Sequence, residues 1–208
     1  MADQNDSGLC PERELSDVVG QLRDDDQGGL ATIGRYLQSW PLDPRLHFLK
    51  GSVLAGLQRY DEARGAMARA IEIAPDYALA RFQLGFLDLT SGRAIDALGV
   101  WQPLGALPDD FPLRVLAEGL ANLCADQFGE AVRLLRKGMA LNAEHPLING
   151  DMQLILDEIE PLAATEPGAA QPTATAPVSA DEDAPASAVD LLLRQQGMRG
   201  SPSKLGHS

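Results

Sequence analysis

The stretch RYDEARGAMARAIEIAPDY, residues 59–77, decides how this protein folds. It opens with a turn and continues through small and apolar residues to a proline, a pattern typical of an amphipathic helix. A single helix of this kind would indicate little about function, whereas a repeated one would predict an extended binding surface. Recurrence of the pattern along the chain therefore decides between these two interpretations.

The pattern recurs at an interval of 34 residues, which places Gly51, Gly85 and Gly119 in one column. Three further columns keep the interval, and they contain Ala63, Ala97 and Ala131; Tyr60, Ala94 and Phe128; and Met67, Trp101 and Leu135. Four columns in register over three units indicate a repeat. The glycine and alanine columns predict that the two helices of a unit approach closely, because larger side chains would force them apart.

This pattern resembles the tetratricopeptide repeat family, whose 34-residue helix-turn-helix unit has a small residue in its first helix and Ala-x3-bulky in its second. The family unit also ends with a proline, and the stretch at residues 44–77 fits best because it reaches Pro75. The chain departs from the family at His47, Arg81 and Val115, where the family prefers Trp. The resemblance implies an all-α solenoid of about three to four repeats with a C-terminal capping helix, and the composition of the C-terminal residues adds a disordered tail to this prediction.

The predicted array covers residues 12–160. A degenerate first repeat at 12–43 precedes repeats at 44–77, 78–111 and 112–145. A capping helix is predicted at 147–160, and four of its residues are expected to face inward: Met152, Leu154, Ile155 and Ile159. Residues 1–11 and 198–208 are predicted to be flexible ends.

The remaining C-terminal residues change in composition. Residues 161–186 are rich in Ala and Pro, and such a segment cannot bury enough apolar surface to order itself, which predicts a disordered linker. Residues 187–197 then predict a short amphipathic helix with Val189, Leu192 and Leu193 on one face. These three residues are either an accidental apolar patch or a docking motif for this chain's own groove or for a partner.

Composition excludes several classes of function. The net charge is −13, and no segment clusters Lys and Arg as phosphate binding requires, so nucleic-acid binding is not expected. No apolar run reaches about 18 residues, so direct membrane insertion is not expected. The N-terminal sequence lacks a signal-peptide pattern and the two cysteines do not form a disulfide framework, which together favour a cytoplasmic location.

In the family, the first helix of each repeat lines a concave face. The resemblance therefore implies a strongly apolar groove lined by Arg45, Phe48, Ser52, Ala55, Leu79, Phe82, Phe86, Leu89, Leu113, Leu116, Leu120 and Leu123. Such a groove suits an apolar helix or extended segment of another protein, with Phe82 and Phe86 as the predicted hot spot. The alternative is that individual residues of this set belong to the core. Co-chaperones that bind carboxylates carry Lys, Arg and Asn at several of these positions, so that class is not expected.

The resulting functional prediction is a non-enzymatic adaptor or scaffold that holds another protein. The alternative is a secretion-type chaperone that keeps one apolar client in solution, because RFQLG at residues 81–85 resembles the second unit of type III secretion chaperones. The sequence leaves open whether the protein forms a homo-oligomer.

The sequence predicts neither a catalytic site nor a bound cofactor. His47, His145 and His207 have no Cys or carboxylate at metal-ligand spacing. Cys124 is predicted to be an inert buried thiol, and the acidic run at residues 24–26 a solvated turn.

Overall fold

The helices begin at the positions that the 34-residue interval predicts. In the computed structural model of the chain, which describes residues 8–165, the first helices of the three repeats are α3 (Pro44–Gly56), α5 (Ala78–Thr90) and α7 (Pro112–Cys124). The second helices are α4 (Tyr60–Ile73), α6 (Ala94–Trp101) and α8 (Phe128–Leu141). The degenerate pair before them is α1 (Glu12–Leu22) and α2 (Asp26–Ser39), and α9 (Pro146–Ala163) follows them.

The turn inside each repeat has the same backbone geometry. Gln58, Gly92 and Asp126 have φ angles of 60°, 78° and 54°, and they lie 34 residues apart in the sequence. A left-handed residue reverses the chain after a helix, and it is unusual at Gln and Asp, which pay a steric cost that Gly avoids. The repeat is therefore preserved in backbone conformation even where the residue type changes.

The all-α prediction is confirmed for the described residues, which contain helices and turns and no strand.

The chain divides into two compact units, Met1–Asp88 and Leu89–Ser208, here called unit 1 and unit 2. Unit 1 contains α1 to α4 and most of α5, whereas unit 2 contains the end of α5 and the helices after it. The predicted linker beyond residue 165, the docking motif Val189, Leu192 and Leu193, and the end at 198–208 lie outside the described residues.

The core of unit 1 includes the segment before α1. Cys10 is only 2% exposed and packs with Leu15, Val18, Ile33 and Leu46. Although residues 1–11 were expected to be flexible, Cys10 is fixed because its backbone N–H donates to the carboxylate of Asp43 at 2.7 Å.

Glycines mark the closest approaches between paired helices. A methyl group at Gly51 of α3 would lie 2.5 Å from Met67 Cγ and 3.1 Å from the backbone oxygen of Ala63, both on α4. In unit 2, a methyl group at Gly119 of α7 would lie 2.9 Å from Leu135 Cδ2 on α8. At Gly51 and Gly119, the inference that the small-residue columns are packing contacts is therefore confirmed.

Gly51→Leu is expected to destabilise the protein by about 1–3 kcal/mol, because the new side chain must displace part of α4. The matched control is Gly65→Leu in α4, where a Cβ would meet nothing within 4 Å. That change should instead add up to about 1 kcal/mol through helix propensity. Urea unfolding monitored by circular dichroism measures both variants, and equal effects of the two substitutions would contradict the close-packing argument.

The capping helix α9 packs against α8 with a face that differs by one residue from the prediction. Met152, Ile155 and Ile159 are buried as predicted, and Leu156 joins them. Leu154 is 55% exposed, so its predicted inward position is wrong. Two residues along a helix correspond to about 200° of rotation, so Leu154 faces away from the side occupied by Met152. The helix also extends to Ala163, three residues beyond the predicted end at 160.

Candidate functional site

Burial divides the predicted groove residues into two groups. One group belongs to the core, and it consists of Phe82, Leu89, Leu113, Leu116, Leu120 and Leu123. Leu116 illustrates the reason, because its side chain lies against Gly138 of α8 and is enclosed by the helix pair. A partner would reach these buried side chains only if the helices moved apart.

The other group is accessible and lies entirely in unit 1. Phe48, Leu79 and Phe86 are half-buried, and Ser52 is exposed. Ser52 donates its hydroxyl to the backbone oxygen of Phe48 at 3.1 Å, one helical turn earlier. The accessible residues are thus mainly aromatic and aliphatic side chains on α3 and α5.

Phe48 of α3 is paired with an aromatic ring that the sequence analysis did not single out. The ring centroids of Phe48 and Tyr77 are 5.4 Å apart, and the planes are inclined by 59°. Burial raises the pKa of the Tyr77 hydroxyl above its ordinary value, so this group keeps its proton at neutral pH. The position of Tyr77 directly before α5, at the end of the best-fitting repeat, is the sequence signal that could have identified it.

A second pair of rings lies on α5. The centroids of Phe82 and Phe86 are 6.3 Å apart with an interplanar angle of 10°, a stacked arrangement. Phe82 is 0% exposed, whereas Phe86 is half-buried. The two residues predicted together as a hot spot therefore have different roles, because Phe82 supports the ring of Phe86 from inside the core and only Phe86 is accessible.

Arg45, the charged member of the predicted lining, is engaged within the chain. Its Nη2 donates to Asp43 Oδ2 at 2.8 Å and to the backbone oxygen of Cys10 at 2.6 Å. Its Nη1 pairs with Glu12 at 3.1 Å. Arg45 therefore links the segment before α1 to the start of α3 by hydrogen bonds and an ion pair.

Asp43 is the fully buried partner in this network. Burial alone would raise the pKa of its carboxyl group, but the hydrogen bonds from the Arg45 side chain and from the backbone N–H groups of Cys10 and Arg45 outweigh it. The pKa of Asp43 is therefore lower than usual, and the group is ionised in the folded protein. Asp43 also caps α3, because its Oδ1 accepts the backbone N–H of Arg45 at 2.9 Å.

Unit 2 contains a cleft that the sequence analysis missed. The second helix of this repeat, α6, has 8 residues, whereas α4 and α8 have 14 each. Pro103 stands where α4 has Arg69 and α8 has Lys137, and proline cannot continue the helical hydrogen bonding. A 3-10 turn, Gln102–Ala106, replaces the missing helix. A cleft of about 160 Å³ remains, lined by Leu98, Trp101, Gln102, Leu104, Gly105, Arg114, Ala117, Glu118 and Ala121.

Cys10 is buried, whereas Cys124, which was predicted to be buried, is half-buried. Burial raises the pKa of both the Cys10 and the Cys124 thiol, which keeps them protonated and weakly nucleophilic at neutral pH. Within residues 8–165, no cluster of three or more His, Cys, Asp or Glu side chains is placed to hold a metal ion. None of the helices in that range is both long and apolar enough to cross a membrane.

Comparisons with known proteins give a family for one repeat and a fold for the chain. The family described as tetratricopeptide repeat matches residues 44–77. The solved structure of MamA 41-end from Desulfovibrio magneticus RS-1 aligns with a TM-score of 0.54 at 15% identity, over 96% of this chain and 100% of that one. The MamA RS-1 ArsTM double mutant aligns with a TM-score of 0.54 at 17% identity, over 94% and 99% of the two chains.

Identities of this size show a shared fold and nothing more. A search of curated protein sequences finds no match to the chain. The matched repeat at residues 44–77 is the unit that fits the sequence pattern best. The corresponding helices of the next two units begin 34 and 68 residues later. The chain therefore contains a tetratricopeptide repeat at residues 44–77 and shares the fold of the MamA structures.

Proposed function

We propose that this protein is a non-enzymatic adaptor or scaffold that binds a segment of another protein through four residues of unit 1. The proposed contact residues are Phe48, Tyr77, Leu79 and Phe86. The observation that carries this proposal is that two half-buried aromatic side chains, Phe48 and Phe86, are each held against another ring. Tetratricopeptide repeats generally act as protein-binding modules, and this family-level expectation supports the assignment.

An aromatic ring that a neighbouring ring already keeps in position suits binding for an energetic reason. Association costs free energy when it immobilises mobile side chains, and a ring already fixed by a neighbour loses less conformational freedom. Phe48 is positioned by Tyr77 and Phe86 by Phe82. Their exposed portions offer a rigid apolar surface to the bulky anchors of an apolar helix or an extended segment.

The partner is expected to contact the exposed rings and not the buried one. Phe48→Ala and Phe86→Ala should each weaken binding by about 1–4 kcal/mol, the range found for hot-spot residues. Native co-purification followed by mass spectrometry identifies the bound protein, and titration with that purified protein measures the affinity of each variant. A homo-oligomer would appear in the same titration as binding between copies of this chain.

The matched control is Tyr60→Ala, which removes an exposed aromatic ring from α4 of the same unit. It should leave the affinity unchanged. A partner that binds both phenylalanine variants as tightly as the original chain would contradict the proposed site. Stable co-fractionation with several subunits would indicate a scaffold, whereas one client bound stoichiometrically and then released would indicate the chaperone alternative.

A further inference from the structure

The cleft of unit 2 opens beside two exposed apolar side chains. Ile95 and Leu98 are 87% and 40% exposed, and their spacing of three residues on α6 places them on one face. Leu98 also lines the cleft, whose apolar wall continues through Trp101 and Leu104. Large apolar side chains this exposed, next to an apolar depression, are typical of an interaction surface.

The volume of the cleft sets the size of what it can hold. A cavity of about 150 Å³ accommodates a benzene ring. The cleft measures about 160 Å³, so it has room for one side chain of the size of Phe or Leu. Ala117 and Ala121 of α7 form its small-residue wall, and a partner side chain entering there would contact the buried indole of Trp101.

Charge at the cleft favours a basic partner. Arg114 Nε donates to Glu118 at 2.8 Å, and Arg114 Nη1 pairs with Asp109 at 2.6 Å. One guanidinium is thus shared by two carboxylates, and the Lys137 ammonium group beside them donates to the backbone oxygen of Asp109 at 3.3 Å, not to a carboxylate. The Asp109 side chain is largely exposed and Glu118 is partly exposed, whereas Arg114 is more buried than either. A Lys or Arg of a partner would therefore find carboxylate oxygens able to accept further hydrogen bonds.

We infer that this cleft is a second binding surface, which receives one Phe-sized or Leu-sized side chain from a partner protein segment that carries Lys or Arg beside that anchor. The apolar residues of the cleft supply the contact area, and the carboxylates of Glu118 and Asp109 select the basic flank. The net charge of −13 also steers cationic segments toward the protein. This surface lies within unit 2 and does not depend on the site proposed in unit 1.

The test uses the full chain as bait for a random peptide library displayed on phage. Selected peptides are expected to carry an aromatic or aliphatic residue flanked by Lys or Arg. Leu98→Gln should weaken their binding about tenfold, the effect of a hot-spot truncation near 1.4 kcal/mol. Glu118→Gln should weaken binding chiefly at low salt, because exposed charges are screened as ionic strength rises.

Two controls separate the cleft from other surfaces. Leu154→Gln changes an exposed leucine of α9 in the same unit and should alter the affinity less than twofold. Phe48→Ala, in unit 1, should also leave peptide affinity unchanged, so failure of the cleft proposal and failure of the unit 1 proposal are distinguishable. Circular dichroism and urea unfolding establish that each variant is folded.

Several results would overturn the inference. They are failure to enrich any peptide, enrichment without Lys or Arg, and selected peptides whose affinity is the same for Leu98→Gln as for the original chain. A synthetic peptide of residues 187–197 that binds the cleft more tightly than the selected peptides would also overturn it, because the occupant would then be this chain's own segment.

Discussion

Asp43→Ala is expected to lower the free energy of unfolding by about 2–4 kcal/mol, the combined cost of a buried N–H group left without its acceptor and of a lost helix cap. The carboxylate accepts hydrogen bonds from the Arg45 side chain and from the backbone N–H groups of Cys10 and Arg45. Its removal leaves the Cys10 N–H buried without its acceptor and takes away the cap of α3. The segment before α1 would then lose its attachment to the third helix.

Urea unfolding at neutral pH measures this loss as a shift of the midpoint. The control is Asp24→Ala, which removes an exposed carboxylate from the turn between α1 and α2 and should change stability by less than about 0.5 kcal/mol. If Asp43→Ala unfolds at the same urea concentration as the control, the network around Arg45 does not hold the N-terminal segment. Increased proteolysis before residue 12 in Asp43→Ala would locate the loss in that segment.

The same carboxylate makes stability depend on pH in a defined direction. The pKa of Asp43 is lower in the folded protein than in the unfolded chain, so its contribution is complete above the unfolded value, about 4. The contribution is lost as the pH falls through the lower folded value. The stability difference between the original chain and Asp43→Ala should therefore be largest near neutral pH and should shrink below about pH 4. A difference that stays constant down to acid unfolding would contradict this assignment.

The repeat was predictable because its physical requirement is local and periodic. Close helix packing demands small residues at fixed positions, and Gly51 and Gly119 satisfy that demand in a way that a 34-residue comparison detects. The left-handed turns at Gln58 and Asp126 were not predictable in this way, because neither residue type signals a positive φ as strongly as Gly92 does.

The hydrogen bonds that Asp43 accepts could not be predicted from the sequence, for a different reason. Cys10 and Asp43 are 33 residues apart, and no periodic pattern links a backbone N–H before one helix to a carboxylate before another. The Asp-Pro pair at residues 43 and 44 does indicate a helix start. It gives no indication that the same carboxylate also binds an earlier segment.

The accessible part of the candidate site was only partly predictable. Periodicity identifies which residues share a helix face, but it does not tell whether that face meets a neighbour or solvent. In α7 the buried residues include Val115, Leu116 and Ala117, three in succession, so this helix is enclosed on several sides. The periodic pattern therefore assigned buried and accessible residues to one surface, whereas burial in the structure separates Phe82 from Phe86.

Phe82→Ala is expected to destabilise the protein by about 3–5 kcal/mol, the range for truncating a large buried aromatic side chain. Phe82 is 0% exposed, so the change removes buried apolar area and leaves a cavity that α5 can close only in part. It also removes the ring against which Phe86 stacks. Loss of binding in this variant would consequently reflect unfolding or displacement of Phe86, because Phe82 itself is not accessible to a partner.

Phe86→Ala provides the contrast, because a half-buried side chain should cost less stability while removing direct contact with a partner. Urea unfolding should place Phe82→Ala well below Phe86→Ala. Partner affinity, measured where both variants are fully folded, should be reduced at least as much by Phe86→Ala as by Phe82→Ala. Equal destabilisation by the two substitutions would show that Phe86 is a core residue like Phe82, and the proposed contact surface in unit 1 would then lose its central ring.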